Sequence, residues 1–415
     1  MSSAVSEPPV LIVGAGMAGL AAATDLARHR VPFRVLESGD APGGRVRTDV
    51  VDGFPCDRGF QVFLPAYPTA RRLLDYEALR LRPFNAGALI YDGERLHRFA
   101  DPFQQPSAAV ATALSRVVTF ADKLRIAKLR VTADDNADGP DRSTIDELRS
   151  LGFSTRAIEH FFRPFFGGVF LDQSLETTAR LFRFTFAMFA RGAAAWPVAG
   201  MQAIPDQLAA GLPDDAIEYG ATVTAVRRDG VTLADGRDLA AAQVILATDR
   251  LAASALHPAV EPPPKNSQPT STTIYYTTPK PPVDEPTLLL NGSGRGRVNT
   301  VAAISQAARE TIVDGRQLVS VALKEPVAVT GAIDLQIRAE LGEWLPHVDT
   351  WKKLHDVTVT HALPDQRAGT GRPHGVAEED GVLIAGDWRS LGSIEHALRT
   401  GREAASRCVG ASESP

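Results

Sequence analysis

Four consecutive apolar residues, Val10-Leu11-Ile12-Val13, run into a glycine turn, and small and apolar residues then continue at helical spacing as far as the polar stretch Thr24-Asp25-Leu26-Ala27-Arg28-His29-Arg30. A short apolar run bounded by glycine predicts a strand buried on both faces, and the longer period after it predicts a helix. Phe33-Arg34-Val35-Leu36-Glu37 supplies a second strand. Residues 10–37 therefore open as strand, turn, helix, strand, the start of a doubly wound sheet. Between residues 76 and 200 helical patterns dominate and strand signals are few. Within that stretch 174–191, stopped by Gly192, carries Phe182, Phe186 and Phe189 on one helical face and predicts a buried helix. Short strands return at 217–219, 222–226, 231–233 and 244–248, with turns at Asp229-Gly230 and Asp235-Gly236. The Pro-rich segment 258–269 predicts a boundary loop, followed by strands at 272–278 and 318–323 and a final strand and helix over 380–407. This order predicts one domain built from residues 1–75, 201–256 and 357–415, with a second built from 76–200 and 257–356.

Phenylalanine sharpens that division. Ten of the eighteen lie between Phe153 and Phe189 and none follows, so the middle of the chain holds a feature of its own. It is either a well-packed second core, or an aromatic-lined pocket or patch that touches membrane or a lipid-like substrate.

Composition narrows the class. At 415 residues, with 44% hydrophobic and 22% charged residues, the chain is globular and long enough for two cores. A net charge of −5 argues against a nucleic-acid partner. Cys56 and Cys408 are the two cysteines, too few for a disulfide framework or a metal cluster, and suit a reducing cytoplasm. Met1 to Pro9 lack Lys and Arg, and the apolar stretch after them is short and glycine-rich, so neither export nor a membrane span is expected.

The glycine turn carries the chemistry. Gly14-x-Gly16-x-x-Gly19 follows a strand and opens a helix, the context a dinucleotide fingerprint requires. Gly14 permits the turn, Gly16 lets backbone approach a pyrophosphate, and Gly19 lets the helix lie close to the sheet. Free N–H groups of the first helical turn, with Met17 and Ala18, would face the phosphates. Glu37 and Ser38 end the second strand, where a carboxylate accepts hydrogen bonds from a ribose diol and disfavours a 2′-phosphate. A nicotinamide enzyme needs no more than this. Here Gly43-Gly44-Arg45 follows within a few residues, bringing backbone and a guanidinium to the same cofactor, and Gly59-Phe60-Gln61 continues past its ring. Near the finish Gly386-Asp387 ends a strand with a carboxylate suited to ribityl or pyrophosphate groups. The helix beginning at Ser393-Ile394 would aim its positive end at the pyrimidine edge of a flavin.

These segments resemble the flavin-containing amine oxidase and phytoene desaturase superfamily, which includes protoporphyrinogen oxidases. The likeness is specific over residues 8–65 and 380–406 and softer between, at 221–226, 244–248 and Ala362-Leu363-Pro364. It implies an α/β fold, α+β overall: a discontinuous Rossmann-like FAD-binding domain with an inserted substrate domain of mixed sheet and helices. It further implies FAD contacts at Gly14, Gly16, Gly19, Glu37, Arg45, Val223, Gly386, Asp387 and Ile394.

Three departures bear on chemistry. Members of the family that oxidise amines commonly carry a lysine on a substrate-domain strand, and the comparable stretch 270–276 has none. They also set an aromatic residue before the last helix, where Ser393 stands. The cysteine that anchors flavin covalently in some members is missing ahead of Gly386, so FAD is expected to be non-covalent. Glu395 and His396, His160 among the phenylalanines and Cys56 beside Asp57 read more readily as structural groups than as proton carriers or redox partners. The Gly292-Ser293-Gly294-Arg295-Gly296 run does not form a second fingerprint, so no tightly held NADPH is expected beside the flavin. The expectation is an FAD-dependent oxidoreductase that takes a hydride equivalent from an isoprenoid or other lipid-like substrate and passes electrons to oxygen or a quinone. An amine oxidase, a reduced-flavin isomerase and a lipid carrier are the alternatives, and a peripheral membrane contact stays open.

Overall fold

The computed structural model describes residues 8–133, 141–265, 267, 269–369 and 375–412. Val10–Val13 lies at the centre of a six-stranded sheet, parallel to Gln243–Leu246 on one side and Phe33–Glu37 on the other. Ile217–Tyr219 closes one edge, while Val382–Ile384 and the antiparallel Ala377–Glu379 close the other. Every residue of Val10–Val13 is at most 4% exposed, which explains why the strand is apolar without alternation. The strands come from three separated stretches of chain, 10–37, 217–246 and 377–384.

The two helices at the chain ends lock together. A Cβ placed on Gly401, within the last helix Ile394–Ser412, would sit 2.0 Å from the Ala18 carbonyl oxygen in the first helix, Met17–Arg28. Only glycine allows that approach. Arg402 adds an ion pair to Asp25 at 2.7 Å, and Thr400 accepts from the Gly386 amide at 3.1 Å, so the strand end that carries Asp387 is tied to this crossing.

A second, seven-stranded sheet runs in the order Lys352–Val359, Ser271–Thr278, Gln317–Leu323, Val298–Ala302, Leu288–Asn291, Gly87–Tyr91, Leu96–Ala100. It is antiparallel except where Leu288–Asn291 pairs parallel with Gly87–Tyr91. The hairpin of Gly87–Tyr91 and Leu96–Ala100 lies within 76–200, where helical patterns dominate and few strands were expected. Asp92 builds its turn by accepting from the Glu94 and Arg95 amides at 3.0 Å each. The expected helix over 174–191 begins later, at Ala179–Arg191. Asp172 draws Ser174 and Thr177 into a loop and Thr178 caps the helix, so side-chain bonding overrides the period.

Asp57, at the end of the strand Phe54–Asp57, is buried beneath the segment that leads to Gly59. Its carboxylate accepts from Thr48 Oγ1 and Trp196 Nε1 at 2.6 Å and from the Met201 amide at 2.9 Å. Burial pushes its pKa up to about 6, and the three hydrogen bonds draw it back only in part. The folded protein thus holds this proton more tightly than the unfolded chain does. Its contribution to stability is greatest below about pH 4 and declines through pH 6, by about 3 kcal/mol. Denaturant unfolding at a series of pH values should show this fall in the wild type and its absence in Asp57→Asn. That variant should also be less stable at every pH, because its amide turns a donor toward one of three donors.

Candidate functional site

A cavity of about 690 Å³ opens against the C-terminal ends of the parallel strands, where doubly wound sheets hold ligands. Gly14, Gly16, Met17, Ala18, Glu37 and Ser38 form one wall. Gly44, Arg45, Gly59, Phe60 and Gln61 form the next, and Val223, Gly386, Asp387, Ser393 and Ile394 complete it. Gly19 stands behind this lining, because a Cβ there would lie 1.9 Å from the Gly14 carbonyl oxygen. Gly16 is the reverse. Nothing lies within 4 Å of the Cβ it lacks, and no side chain caps the helix that starts there. The first N–H groups of that helix have no partner inside it and point at open space.

Glu37 already holds two backbone groups, accepting from Ala15 and Gly39 amides at 2.7 Å each. The carboxylate therefore shapes the glycine turn as well as facing the cavity. Glu37→Ala should lower the flavin retained after gel filtration by about tenfold and destabilise the turn by about 1–2 kcal/mol. Full flavin occupancy, read from visible absorbance, would show that the ribose lies elsewhere.

Arg45 and Asp387, 342 residues apart in sequence, meet at 2.6 Å. Burial works against the Arg45 charge and the Asp387 carboxylate more than offsets it, so the guanidinium stays protonated. Gln61 Nε2 donates to the Arg45 carbonyl oxygen at 3.1 Å. Ser393 caps the last helix, accepting from the His396 amide at 3.3 Å.

Glu395 and His396 stand outside the lining. Glu395 is buried and accepts from the Thr69 and Ala70 amides, which fastens the start of the short helix Ala70–Leu73. His396 Nδ1 lies 2.8 Å from Ser393 Oγ, and its ring meets Phe184 edge-on at 4.5 Å. His160 Nδ1 donates to the Gly292 carbonyl oxygen at 2.6 Å. Cys56 and Cys408 are buried away from the lining, and burial, with Asp57 adding to it, pushes the Cys56 thiol up to about 12.

The far end of the cavity is apolar. Phe165, Phe170, Leu181, Phe189, Leu288 and Leu290 line it, with Thr185, Asn299 and Thr300 as its polar groups. The charged lining residues are Glu37, Arg45, Arg58, Asp249 and Asp387, none of them on the segments 165–189, Leu288–Asn291 or Val298–Ala302 that carry the apolar lining, and no lysine lines the cavity among the described residues. The phenylalanines serve both expected purposes: Phe162, Phe166 and Phe182 are at most 1% exposed and interlock as core, while Phe165, Phe170 and Phe189 face the cavity. Sequence reasoning missed Asn299 and Thr300. Their strand, Val298–Ala302, is buried throughout and carries no alternation to mark it.

The family model for flavin containing amine oxidoreductases matches residues 17–409. The chain belongs to that family. A hydroxyneurosporene desaturase of Rhodobacter capsulatus is 44% identical over 17% of this chain and 13% of its own length. Its counterpart in Cereibacter sphaeroides is 29% identical over 58% of this chain and 56% of its own. Protoporphyrinogen oxidase 2 of Arabidopsis thaliana is 26% identical over 40% and 33%. Each match thus spans less than two thirds of the relative. Solved structures align over nearly the whole chain. An oxidoreductase from Methanosarcina mazei covers 96% of it with a TM-score of 0.72 at 19% identity, and putrescine oxidase bound to putrescine covers 97% with 0.69 at 17%. At those identities they establish the fold.

Proposed function

We propose that this oxidoreductase holds FAD without a covalent bond and takes a hydride equivalent from a hydrophobic, isoprenoid or lipid-like substrate. The observation that carries the substrate class is the uncharged inner end of the cavity: Phe165, Phe170, Leu181 and Phe189 offer an extended hydrocarbon its own solvent, and no carboxylate there meets an amine. The residues at the other end fit a flavin dinucleotide. Gly16 leaves a cradle that any Cβ would fill, the helix behind it presents free N–H groups, and Arg45 supplies a cation for phosphate. Neither cysteine reaches the cavity, which supports non-covalent attachment.

Flavin, when bound, supplies the hydride acceptor and returns electrons to oxygen or a quinone. The chain's own residues bind, orient and keep the site dry. The Ile394–Ser412 helix, capped by Ser393, brings its positive end to the cavity. The phenylalanine wall excludes water around the reacting carbon. Thr185, Asn299 and Thr300 offer the few polar contacts that fix orientation. We assign the domain formed by 1–75, 201–256 and 357–415 to the cofactor and the remainder to substrate.

The test is an anaerobic titration of the flavin-loaded protein. An unsaturated or partly saturated isoprenoid in detergent should bleach the visible flavin absorbance, while polyamines should leave it unchanged. Bleaching by an amine, with peroxide formed on admitting air, would overturn the substrate class and leave the cofactor assignment standing.

A further inference from the structure

Six of the eleven large apolar side chains exposed among the described residues fall in one stretch: Phe103, Val110, Leu114, Phe120, Leu124 and Val131 are 59–84% exposed. A monomeric soluble surface scatters such groups singly. On the helix Phe120–Thr132 they form a stripe, because Phe120, Leu124, Ala127 and Val131 recur at intervals of four, three and four, and all four are exposed. The opposite face carries the buried Asp122 and Leu129.

The outward face is fixed. Thr119 and Asp122 form a reciprocal cap, and Asp122 also accepts from the Ser154 amide and hydroxyl at 2.9 and 2.6 Å. The helix cannot roll its apolar stripe inward without breaking that buried network. Lys123 joins it to the preceding helix Ala109–Leu114 by donating to the Ala113 and Ser115 carbonyl oxygens.

Charge says what covers this face. Arg116, Lys123 and Lys128 flank the stripe, while Arg125 pairs with Asp122 and Arg130 with Asp101; the one acidic residue in 103–132 is the buried Asp122, whereas the chain as a whole carries −5. Asp134, Asp135 and Asp138 follow in the sequence, outside the described residues. A second copy would bring like charges together. An anionic bilayer is complementary to both features, taking apolar side chains at the acyl boundary and cations at the headgroups. The patch also adjoins the cavity wall: Gln104 Nε2 donates to the carbonyl oxygen of Phe189 at 3.0 Å, and the Phe189 ring lines the apolar end.

We propose that the 103–131 face docks this protein on the surface of a membrane containing anionic lipid, next to the apolar end of the cavity. The use of that docking, delivery of a lipid-phase substrate, rests on the function proposed above, whereas the docking itself does not. The flavin-loaded protein is floated with vesicles of phosphatidylcholine alone and of phosphatidylcholine mixed with phosphatidylglycerol, without substrate, so the two readings fail separately. Wild type should partition onto the mixed vesicles and release as salt is raised. The triple variant Phe120→Ser, Leu124→Ser, Val131→Ser should bind about tenfold more weakly or worse. Arg116→Gln and Lys128→Gln should each cost about fivefold. Leu335→Ser, exposed on another helix, should bind as wild type does. Circular dichroism and flavin occupancy verify that each variant is folded. Absence of wild-type binding to the mixed vesicles overturns the proposal. So does unchanged binding by the triple variant, or a concentration-dependent dimer that the triple variant abolishes while vesicle binding persists.

Discussion

A Gly16→Val protein should fold, migrate as wild type does, and purify without flavin, whereas Gly19→Ala should scarcely accumulate. The two glycines are three residues apart in one motif, one before the helix and one inside it, and a side chain would meet open space at the first and backbone at the second. Gly16 has an extended backbone, φ −70° and ψ 179°, which valine adopts readily, and its missing Cβ points into empty cavity. A branched side chain there fills the space in front of the helix N–H groups and strains nothing else. We expect flavin affinity to fall by at least about a hundredfold, the loss that several charge-assisted phosphate hydrogen bonds produce together. The melting temperature of the flavin-free form should stay where it is. At Gly19 the new methyl would stand 1.9 Å from the Gly14 carbonyl oxygen and 3.4 Å from Ile12 Cγ2. Backbone cannot yield as a flexible side chain can, so helix and strand must separate, at a cost of about 3 kcal/mol or more. Soluble yield, thermal unfolding with and without added FAD, and visible absorbance distinguish the cases. Full flavin occupancy in Gly16→Val would remove the glycine turn from the cofactor site.

The same contrast explains what the sequence makes legible. Gly16 and Gly19 belong to a local motif in which turn, helix start and packing are all set within ten residues, so spacing alone places them. Arg45 and Asp387 each stand in a recognisable segment, yet only the sheet order brings them together. The Gly87–Tyr91 and Leu96–Ala100 hairpin was missed although Asp92-Gly93 is a strong turn signal. Its first strand pairs with Leu288–Asn291, some two hundred residues away, and is too uniformly buried to alternate. The apolar stripe on Phe120–Thr132 is hidden for a related reason. Apolar residues occupy both faces of that helix, one turned to the core and one to solvent, so periodicity alone does not say which is buried. Asn299 and Thr300 reach the cavity only because their strand threads the centre of the seven-stranded sheet. Local rules reach the glycine-turn end of the cavity; its apolar end is assembled by long-range pairing.

Arg45→Ala should strip the protein of flavin and destabilise it even when no flavin is present, and a double-mutant cycle with Asp387 should separate the two effects. Asp387 is 7% exposed and its Oδ1 accepts from Arg45 Nη2 at 2.6 Å. Removing the guanidinium leaves a carboxylate with little access to water, which costs 3–5 kcal/mol where a pair is fully buried. The Arg45 side chain is 33% exposed, so water re-enters and the expected cost is about 2 kcal/mol. Asp387→Ala should cost less, because Arg45 keeps the Ala362 carbonyl oxygen at 3.3 Å and its exposed edge. In flavin-free protein the double variant should therefore be about as stable as Arg45→Ala or slightly more so, with a coupling of about 1–2 kcal/mol in denaturant unfolding. Flavin affinity should behave differently. If Arg45 meets a phosphate, each variant lacking it loses about a hundredfold in affinity, and Asp387 cannot restore it. Lysine at position 45 should recover charge without the fork geometry, and so regain only part of that loss. Additive stabilities within about 0.5 kcal/mol would dissolve the pair as a structural unit. Undiminished flavin binding in Arg45→Ala would confine this arginine to fastening the two ends of the chain.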